Sequence, residues 1–161
     1  MENFKELTIL EKIKIILSTF FFTGYSPLIP GTAGTAGGLL LYCFLTRFAS
    51  IFIYISASIL LIVTGVWASD FAERFYGRKD PPRVVIDEVA GFLLAMLFIK
   101  PRLFNVIIGF VLFRTIDIIK PPPARYFERM EGGVGIMVDD VVSAFYTNML
   151  MQTLLPVLNL I

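Results

Sequence analysis

The sequence predicts an all-α protein, a bundle of helices that crosses a membrane several times and begins with an amphipathic helix in the membrane interface. Apolar residues make up 57% of the chain and charged residues only 17%, and the mean hydropathy is +0.78. Soluble domains are about 45–50% apolar and about 25% charged. The apolar residues gather in long runs separated by polar stretches, and 161 residues suit one domain, residues 1–161.

Residues 1–23 predict the interfacial helix. Apolar residues recur at intervals of three and four between Phe4 and Phe22, with charged residues such as Glu11 and Lys14 between them. This spacing is typical of a helix with one apolar face. Its mixed composition favours a helix that lies on the membrane over one that spans it.

Apolar runs further along the chain predict the remaining helices, at Leu39–Phe48, Ile51–Ser69, Val89–Ile99, Leu103–Ile119 and Val141–Leu155. The run at Ile51–Ser69 has about the ~20 residues needed to cross the hydrocarbon core. The run at Val89–Ile99 is short, and we expect it to cross only in part. The first four runs form two hairpins, with turns near Arg47 and at Lys100–Arg102.

The polar stretches predict three loops on one side of the membrane, at Gly24–Gly38, Asp70–Ile86 and Lys120–Asp140. All 13 Asp and Glu residues fall on this side, whereas the opposite turns hold only Arg47, Lys100 and Arg102. Since basic loops stay in the cytoplasm, the acidic side is predicted to face it.

Five acids beside the helix ends on this side are the candidate metal ligands: Asp87, Glu88, Asp117, Asp139 and Asp140. Ionisable groups in apolar segments are costly unless they are paired or bound to an ion, so they are functional candidates. Carboxylates are the ligands that Mg²⁺ prefers. We predict a Mg²⁺ site here, with the four aspartates also acting in catalysis.

Two structural interpretations stay open at this point. Asp139 fits a helix cap that satisfies backbone donors at a helix start. Asp117 fits an internal salt bridge, because Arg114 and Lys120 lie one turn away on either side.

The residue types that are missing narrow the chemistry. The chain has no His, and Cys43 lies within an apolar run with no phosphate-binding loop after it, which excludes histidine and cysteine nucleophiles. Zinc would lack its usual nitrogen and sulfur ligands. What remains is metal-assisted chemistry on a phosphate, with either water or an aspartate as the nucleophile.

A glycine-rich stretch from Pro30 to Gly38 is a candidate phosphate cradle, with its small residues at Gly31, Thr32, Gly34 and Thr35. An equally good interpretation is that the small residues permit close helix packing. The candidate basic partners of the phosphate are Arg114, Lys120 and Arg125. Asp70 and Asp80 could join the site, but we favour their interpretation as solvated loop acids.

Four ordered motifs within residues 25–150 resemble the phosphatidylglycerophosphatase A family. They run over residues 29–35 (IPGTAGT), 85–91 (VIDEVAG), 113–121 (FRTIDIIKP) and 132–140 (GGVGIMVDD). The chain departs from the family pattern at Val138, where Leu is usual, and at Pro122, where Trp is frequent; both changes look conservative for the chemistry.

The resemblance implies a Mg²⁺-dependent lipid phosphatase that converts phosphatidylglycerophosphate to phosphatidylglycerol, the last step of phosphatidylglycerol biosynthesis. It also implies an all-helical fold in the bacterial inner membrane, with the five acids at the active site. The expected partners are the phospholipid substrate and membrane lipids, with no nucleic acid.

Two alternatives compete with the phosphatase. A CDP-alcohol phosphatidyltransferase also uses Mg²⁺ and clustered aspartates, but its Asp-Gly-Ala-Arg signature is absent. A small divalent-cation transporter would need polar groups along a path through the membrane, and the opposite side carries no acid.

Overall fold

The computed structural model describes residues 2–127 and 129–157, and these residues form helices without strands, which confirms the all-α class. Met1, Glu128 and residues 158–161 are outside the described residues, so the predictions are not tested at those positions. The elements are α1 (Glu2–Lys5), α2 (Ile9–Ser18), a 3-10 turn (Thr23–Tyr25), α3 (Pro30–Phe48), α4 (Ile51–Tyr76), α5 (Ile86–Ala95), α6 (Leu103–Ile119), α7 (Ala124–Phe127) and α8 (Gly132–Val157).

The N-terminal segment is not the single helix predicted from Phe4 to Phe22. Helix α2 begins after Thr8, which forms a capping box: the backbone N–H of Glu11 donates to the Thr8 hydroxyl, and the Glu11 carboxylate accepts from the Thr8 N–H at 2.9 Å. The helix ends at Ser18 because Phe20 and the two residues after it have left-handed φ angles of 40°, 52° and 67°. The interfacial position of α2 stays a prediction.

The predicted loop at Gly24–Gly38 is helical from Pro30 onward. Pro30 suits a first helical position because its missing N–H has no partner there in any helix. The glycines allow α3 to approach α5 closely: a Cβ on Gly34 would lie 2.7 Å from Val85 Cβ, and one on Gly38 would lie 3.0 Å from the Val89 carbonyl oxygen. For these two glycines, helix packing is therefore the interpretation that the structure supports.

Helices α4 and α8 are longer than predicted, at 26 residues each. Helix α4 continues through Asp70, which pairs with Arg74 one turn later at 2.6 Å. Helix α8 begins at Gly132, whose N–H donates to the Glu73 carboxylate at 2.6 Å. Asp139 therefore lies well inside α8, and its interpretation as a helix cap is wrong.

Helix α5 is the centre of the molecule. It packs against α3, α4, α6 and α8, and eight of its ten residues are buried. Ten residues extend about 15 Å, half of the hydrocarbon thickness of about 30 Å. It begins at Ile86, so that Asp87 and Glu88 lie in its first turn rather than ahead of the helix.

Side chains from neighbouring helices satisfy the backbone carbonyls where α5 ends. The Tyr54 hydroxyl donates to the Leu93 carbonyl at 2.6 Å. The Asn148 amide donates to the carbonyls of Ala95 and Leu97 at 3.0 and 2.9 Å. An α-helix leaves its last four carbonyls without partners, and these bonds allow α5 to end inside the protein.

Two of the described helices, α4 and α8, are long and apolar enough to cross a membrane, with mean hydropathies of 2.2 and 1.2 over their best windows. Only 22% of the α4 window is buried, so α4 is not an ordinary core helix of a soluble protein. Its exposed apolar side chains include Phe52, Leu60 and Val63. Surfaces of this kind mark contact with lipid or protein and indicate membrane association.

The two predicted hairpin turns lie together at the end of the bundle opposite the helix starts of α3 and α5. Ala49 and Ile51 from one turn, and Phe98 and Lys100 from the other, line a shared surface cavity. This is the arrangement expected when two adjacent hairpins point the same way.

Candidate active site

All five predicted acids line one open cavity of about 340 Å³. The cavity lies where the N-terminal ends of α3 and α5, the C-terminal end of α6 and the interior of α8 meet. Its charged lining residues are Asp80, Asp87, Glu88, Arg114, Asp117, Lys120, Arg125, Asp139 and Asp140. Three distant stretches of sequence thus converge on one space, as the motifs predict.

Three of the acids form a compact group that fits a divalent cation. One carboxylate oxygen each from Asp87, Glu88 and Asp140 lie within 4.8 Å of one another. One buried oxygen of each side chain has no hydrogen-bond partner among the described residues. Burial raises the pKa of Glu88 to about 8 and raises that of Asp87 well above its usual value. Because buried unpaired carboxylates are costly, a hard cation with oxygen ligands would stabilise this group.

Asp117 is held in an ion pair with Arg114. The Arg114 Nη1 atom donates to Asp117 Oδ2 at 2.6 Å and lies 3.7 Å from Glu88 Oε1. The two residues are one turn apart on α6, which lets both side chains face the cavity. The salt-bridge interpretation of Asp117 is therefore correct for Arg114.

Lys120 pairs with Asp139, a contact that no pattern in the sequence predicts. The Lys120 Nζ atom donates to Asp139 Oδ2 at 2.6 Å, and Asp139 Oδ1 accepts from the Asp140 N–H at 3.0 Å. Both oxygens of Asp139 therefore have donors. The ion pair joins the end of α6 to the interior of α8 and leaves Asp140 as the unpaired member of the adjacent acids.

The glycine-rich stretch contributes to the site through its first turn. Gly31 lines the cavity, and a Cβ there would contact Glu88 Oε1 and lie 2.8 Å from Arg114 Nη2. The buried Thr35 hydroxyl donates to the Gly31 carbonyl at 3.0 Å and accepts from Arg114 at 3.5 Å. Thr35 therefore lies behind the Arg114 guanidinium rather than at the cavity surface. Thr32 and Gly34 lie outside the set of described residues that line the cavity.

Asp80 is exposed, as a solvated loop acid would be, and it also belongs to the cavity lining. The Pro81–Pro82 pair that follows it, with the turn bond from Val84 N–H to the Pro81 carbonyl at 2.9 Å, brings this loop to the start of α5. Asp70 keeps its interpretation, since it pairs with Arg74 on exposed surface. Arg125 also lines the cavity and donates to the Ile119 carbonyl at 3.2 Å.

The charge balance of the cavity decides what can enter it. Six carboxylates face three basic side chains among the described lining residues. A cavity with this excess of negative charge repels a phosphate anion unless a cation is bound between them.

Comparison with known proteins gives consistent matches. A family model described as phosphatidylglycerophosphatase A matches residues 16–155. A Bacteroides thetaiotaomicron protein provisionally named a phosphatidylinositol-3-phosphatase is 35% identical over 143 residues, covering 84% of this chain and 89% of that protein. Proteins named phosphatidylglycerophosphatase A are 32% identical in Haemophilus influenzae (88% of each chain) and 33% identical in Escherichia coli (80% of this chain, 75% of that protein). No solved structure gives a significant match.

Proposed function

The chain belongs to the phosphatidylglycerophosphatase A family and is a lipid phosphatase, and from that premise we propose that it hydrolyses phosphatidylglycerophosphate to phosphatidylglycerol and phosphate. The proposal includes a requirement for Mg²⁺ and a place as the last step of phosphatidylglycerol biosynthesis. It also includes a multi-pass location in the inner membrane, with the active site at the cytoplasmic face, as the charge distribution favours.

The observation that carries the proposal is the clustering of the Asp87, Glu88 and Asp140 carboxylates, each of which has one buried oxygen without a hydrogen-bond partner among the described residues. Capping or internal salt bridges would leave these atoms with partners, and no donor reaches them within the described residues. The excess of negative charge in the cavity also supports a cation as an obligatory companion of the phosphate.

We assign the cation to Asp87, Glu88 and Asp140. When bound, Mg²⁺ would neutralise phosphate charge and polarise the phosphorus centre toward an attacking nucleophile. Arg114 and Lys120 face the same space and bind non-bridging oxygens of the phosphomonoester, which compensates charge that develops during the transfer.

Asp117 and Asp139 act as positioning residues in this scheme. Each holds a basic side chain at 2.6 Å, which fixes Arg114 and Lys120 in orientation before the substrate arrives. Preorganised donors of this kind need no rearrangement during the reaction. Gly31 leaves room at the cavity wall, because a side chain there would contact Glu88.

Phosphatidylinositol 3-phosphate is the competing substrate, on the name of the Bacteroides thetaiotaomicron relative. Both lipids carry a phosphomonoester on a head group that is joined to diacylglycerol by a phosphodiester. They differ in the bulk of the alcohol, a small glycerol against an inositol ring.

Phosphate release from the purified protein in neutral detergent tests the proposal. Phosphatidylglycerophosphate, phosphatidylinositol 3-phosphate and phosphatidic acid are compared with Mg²⁺, with EDTA, and with Mg²⁺ restored. We expect the highest kcat/KM for phosphatidylglycerophosphate, loss of turnover in EDTA and recovery with Mg²⁺. Turnover that resists EDTA contradicts the metal role, and preference for the inositol lipid contradicts the substrate.

A further inference from the structure

Arg83 is held between two tyrosine rings beside the acidic cavity. Its guanidinium carbon lies 5.1 Å from the centroid of the Tyr25 ring and 5.4 Å from that of Tyr76. The two tyrosine hydroxyls lie 2.9 Å apart, which fixes the rings against each other. Stacking on aromatic faces orients a guanidinium while leaving its N–H edge available to an anion.

Arg83 lacks an acidic partner within the part of the chain that the structure describes. Among the described residues, no carboxylate forms an ion pair with it, and its side chain is exposed. An oriented arginine fork without a carboxylate is suited to bind a ligand with two oxygens in one plane.

The backbone around Arg83 is tied to the N-terminal segment. The Val85 N–H donates to the Ser18 carbonyl at 2.9 Å. Gly24 lies against the Arg83 carbonyl so closely that a Cβ would overlap the Arg83 backbone. These contacts hold the residue in place independently of the ligand.

The position of Arg83 relates it to the active site. Pro82 and Val84 line the acidic cavity, whereas Arg83 and Arg78 line a second cavity of about 260 Å³. Pro82 belongs to both linings, so the two cavities are adjacent. A basic cavity thus adjoins an acidic one that takes a phosphate only together with a cation.

We propose that Arg83, together with Arg78, binds the phosphodiester of the lipid substrate while the terminal phosphomonoester occupies the acidic cavity. This inference rests on the proposed function, since phosphatidylglycerophosphate carries both groups and joins them by one glycerol unit. The two non-bridging oxygens of a diester match the planar fork of an arginine. Arg83 thereby selects lipids with a phosphodiester over phosphatidic acid, which has the monoester alone.

A phosphodiester has two possible sources, the substrate and the surrounding bilayer. Exposed arginines also attract the anionic lipids of a membrane surface. In micelles of a neutral detergent the substrate supplies the only diester, so an effect of Arg83 that persists there belongs to substrate recognition.

The experiment measures KM and kcat of the full-length protein in neutral detergent for phosphatidylglycerophosphate and phosphatidic acid. The variants are Arg83→Ala, Arg83→Lys and, as a matched loss of an exposed arginine, Arg74→Ala. Losing a charge-assisted pair should raise KM for phosphatidylglycerophosphate about 10-fold to 100-fold in Arg83→Ala, with kcat changed about 3-fold or less. Arg83→Lys should recover only part of the loss, because lysine keeps the charge and loses the fork.

The deciding quantity is kcat/KM for phosphatidylglycerophosphate divided by kcat/KM for phosphatidic acid. The inference is supported when Arg83→Ala lowers this ratio at least 10-fold and Arg74→Ala leaves it within about 2-fold. An equal loss for both lipids, or a loss that emerges only when anionic lipid is added to the micelles, overturns it. Wild-type protein that fails to hydrolyse phosphatidylglycerophosphate overturns the proposed function as well, which separates the two failures.

Discussion

Asp140→Asn tests the cation site most directly, because it removes one charge and leaves the side-chain shape nearly unchanged. Asp140 is only 2% exposed, and its Oδ2 atom has no partner among the described residues. If the cation is bound by three carboxylates, losing one should weaken binding by about 100-fold, at the upper end of the effect known for residues that merely support metal ligands. Turnover should fall by at least about 10³-fold in the same variant.

The binding loss can be read as a change in thermal stability. A ligand at 100 times its Kd stabilises the folded state by about 2.7 kcal/mol, which corresponds to about 5–10 °C in Tm for a chain of this size. At the same Mg²⁺ concentration, a variant with 100-fold weaker binding gains about 0.4 kcal/mol, or about 1 °C. In EDTA, the variant should melt at or above the wild-type Tm, because it has one fewer buried carboxyl group without a basic partner among the described residues.

The assay is thermal unfolding in neutral detergent, with and without Mg²⁺, alongside phosphate release. Glu131→Gln is the control, since it removes an exposed acid outside the cavity lining, and it should keep the wild-type Mg²⁺ shift. A full Mg²⁺-induced shift in Asp140→Asn would refute the assignment of this residue as a ligand.

Three further predictions use the same preparations. Lys120→Met should lower kcat/KM by about 100-fold, because a charge-assisted contact to the phosphate is lost. The variant should keep the Mg²⁺-induced Tm shift. Loss of this shift would show that Asp139, which lies 2.6 Å from Lys120 in the wild type, is part of the cation site. Asn148→Leu should cost about 1–3 kcal/mol in unfolding free energy, because two partly buried carbonyls lose their donor. The substitution Thr153→Val at an exposed position should cost about 0.5 kcal/mol or less. In EDTA, Tm should fall as pH rises from 4.5 to about 8, because burial raises the pKa of Glu88 from 4.5 to about 8 and also raises that of Asp87, so that the folded state binds these protons more tightly. Glu88→Gln should reduce this slope without abolishing it, and an equal slope in both proteins contradicts the contribution of Glu88.

The sequence was sufficient for the fold class and for the convergence of the acids. Carboxylates such as Asp87 and Asp117 stand next to apolar runs, where only an ion or a partner makes them tolerable, and the hairpin arrangement requires them to meet on one side. These inferences depend on local pattern and on chain connectivity, both of which are visible in the sequence.

The helix starts could not be predicted, because they depend on contacts between distant segments. Glycine lowers helix propensity, so the stretches before Gly38 and Val141 predict loops. In the structure the glycines are needed where helices touch: Gly34 packs on Val85, and a Cβ on Gly133 would overlap the Val66 backbone. Tertiary packing outweighs local propensity at these positions.

The pairing within the site also required coordinates. The sequence places Lys120 one turn from Asp117, which predicts an ion pair between them. Lys120 ends α6 with a left-handed φ of 48°, and its side chain reaches Asp139 on α8. Spacing within α6 cannot predict this contact, because it joins two helices that are distant in sequence.

The way α5 ends favours an enzyme over a channel. In a bilayer, water and ions entering the acidic cavity would meet the first turn of α5, whose ten residues are enclosed by four helices. Where α5 ends, the carbonyls of Leu93, Ala95 and Leu97, which could coordinate a passing cation, already accept hydrogen bonds from the Tyr54 and Asn148 side chains. The cavity at the opposite end contains Lys100 and no acid among its described lining residues. The described residues that line this end thus offer no carboxylate to a cation that has reached Asp87, which suits a bound cofactor and opposes a transport path.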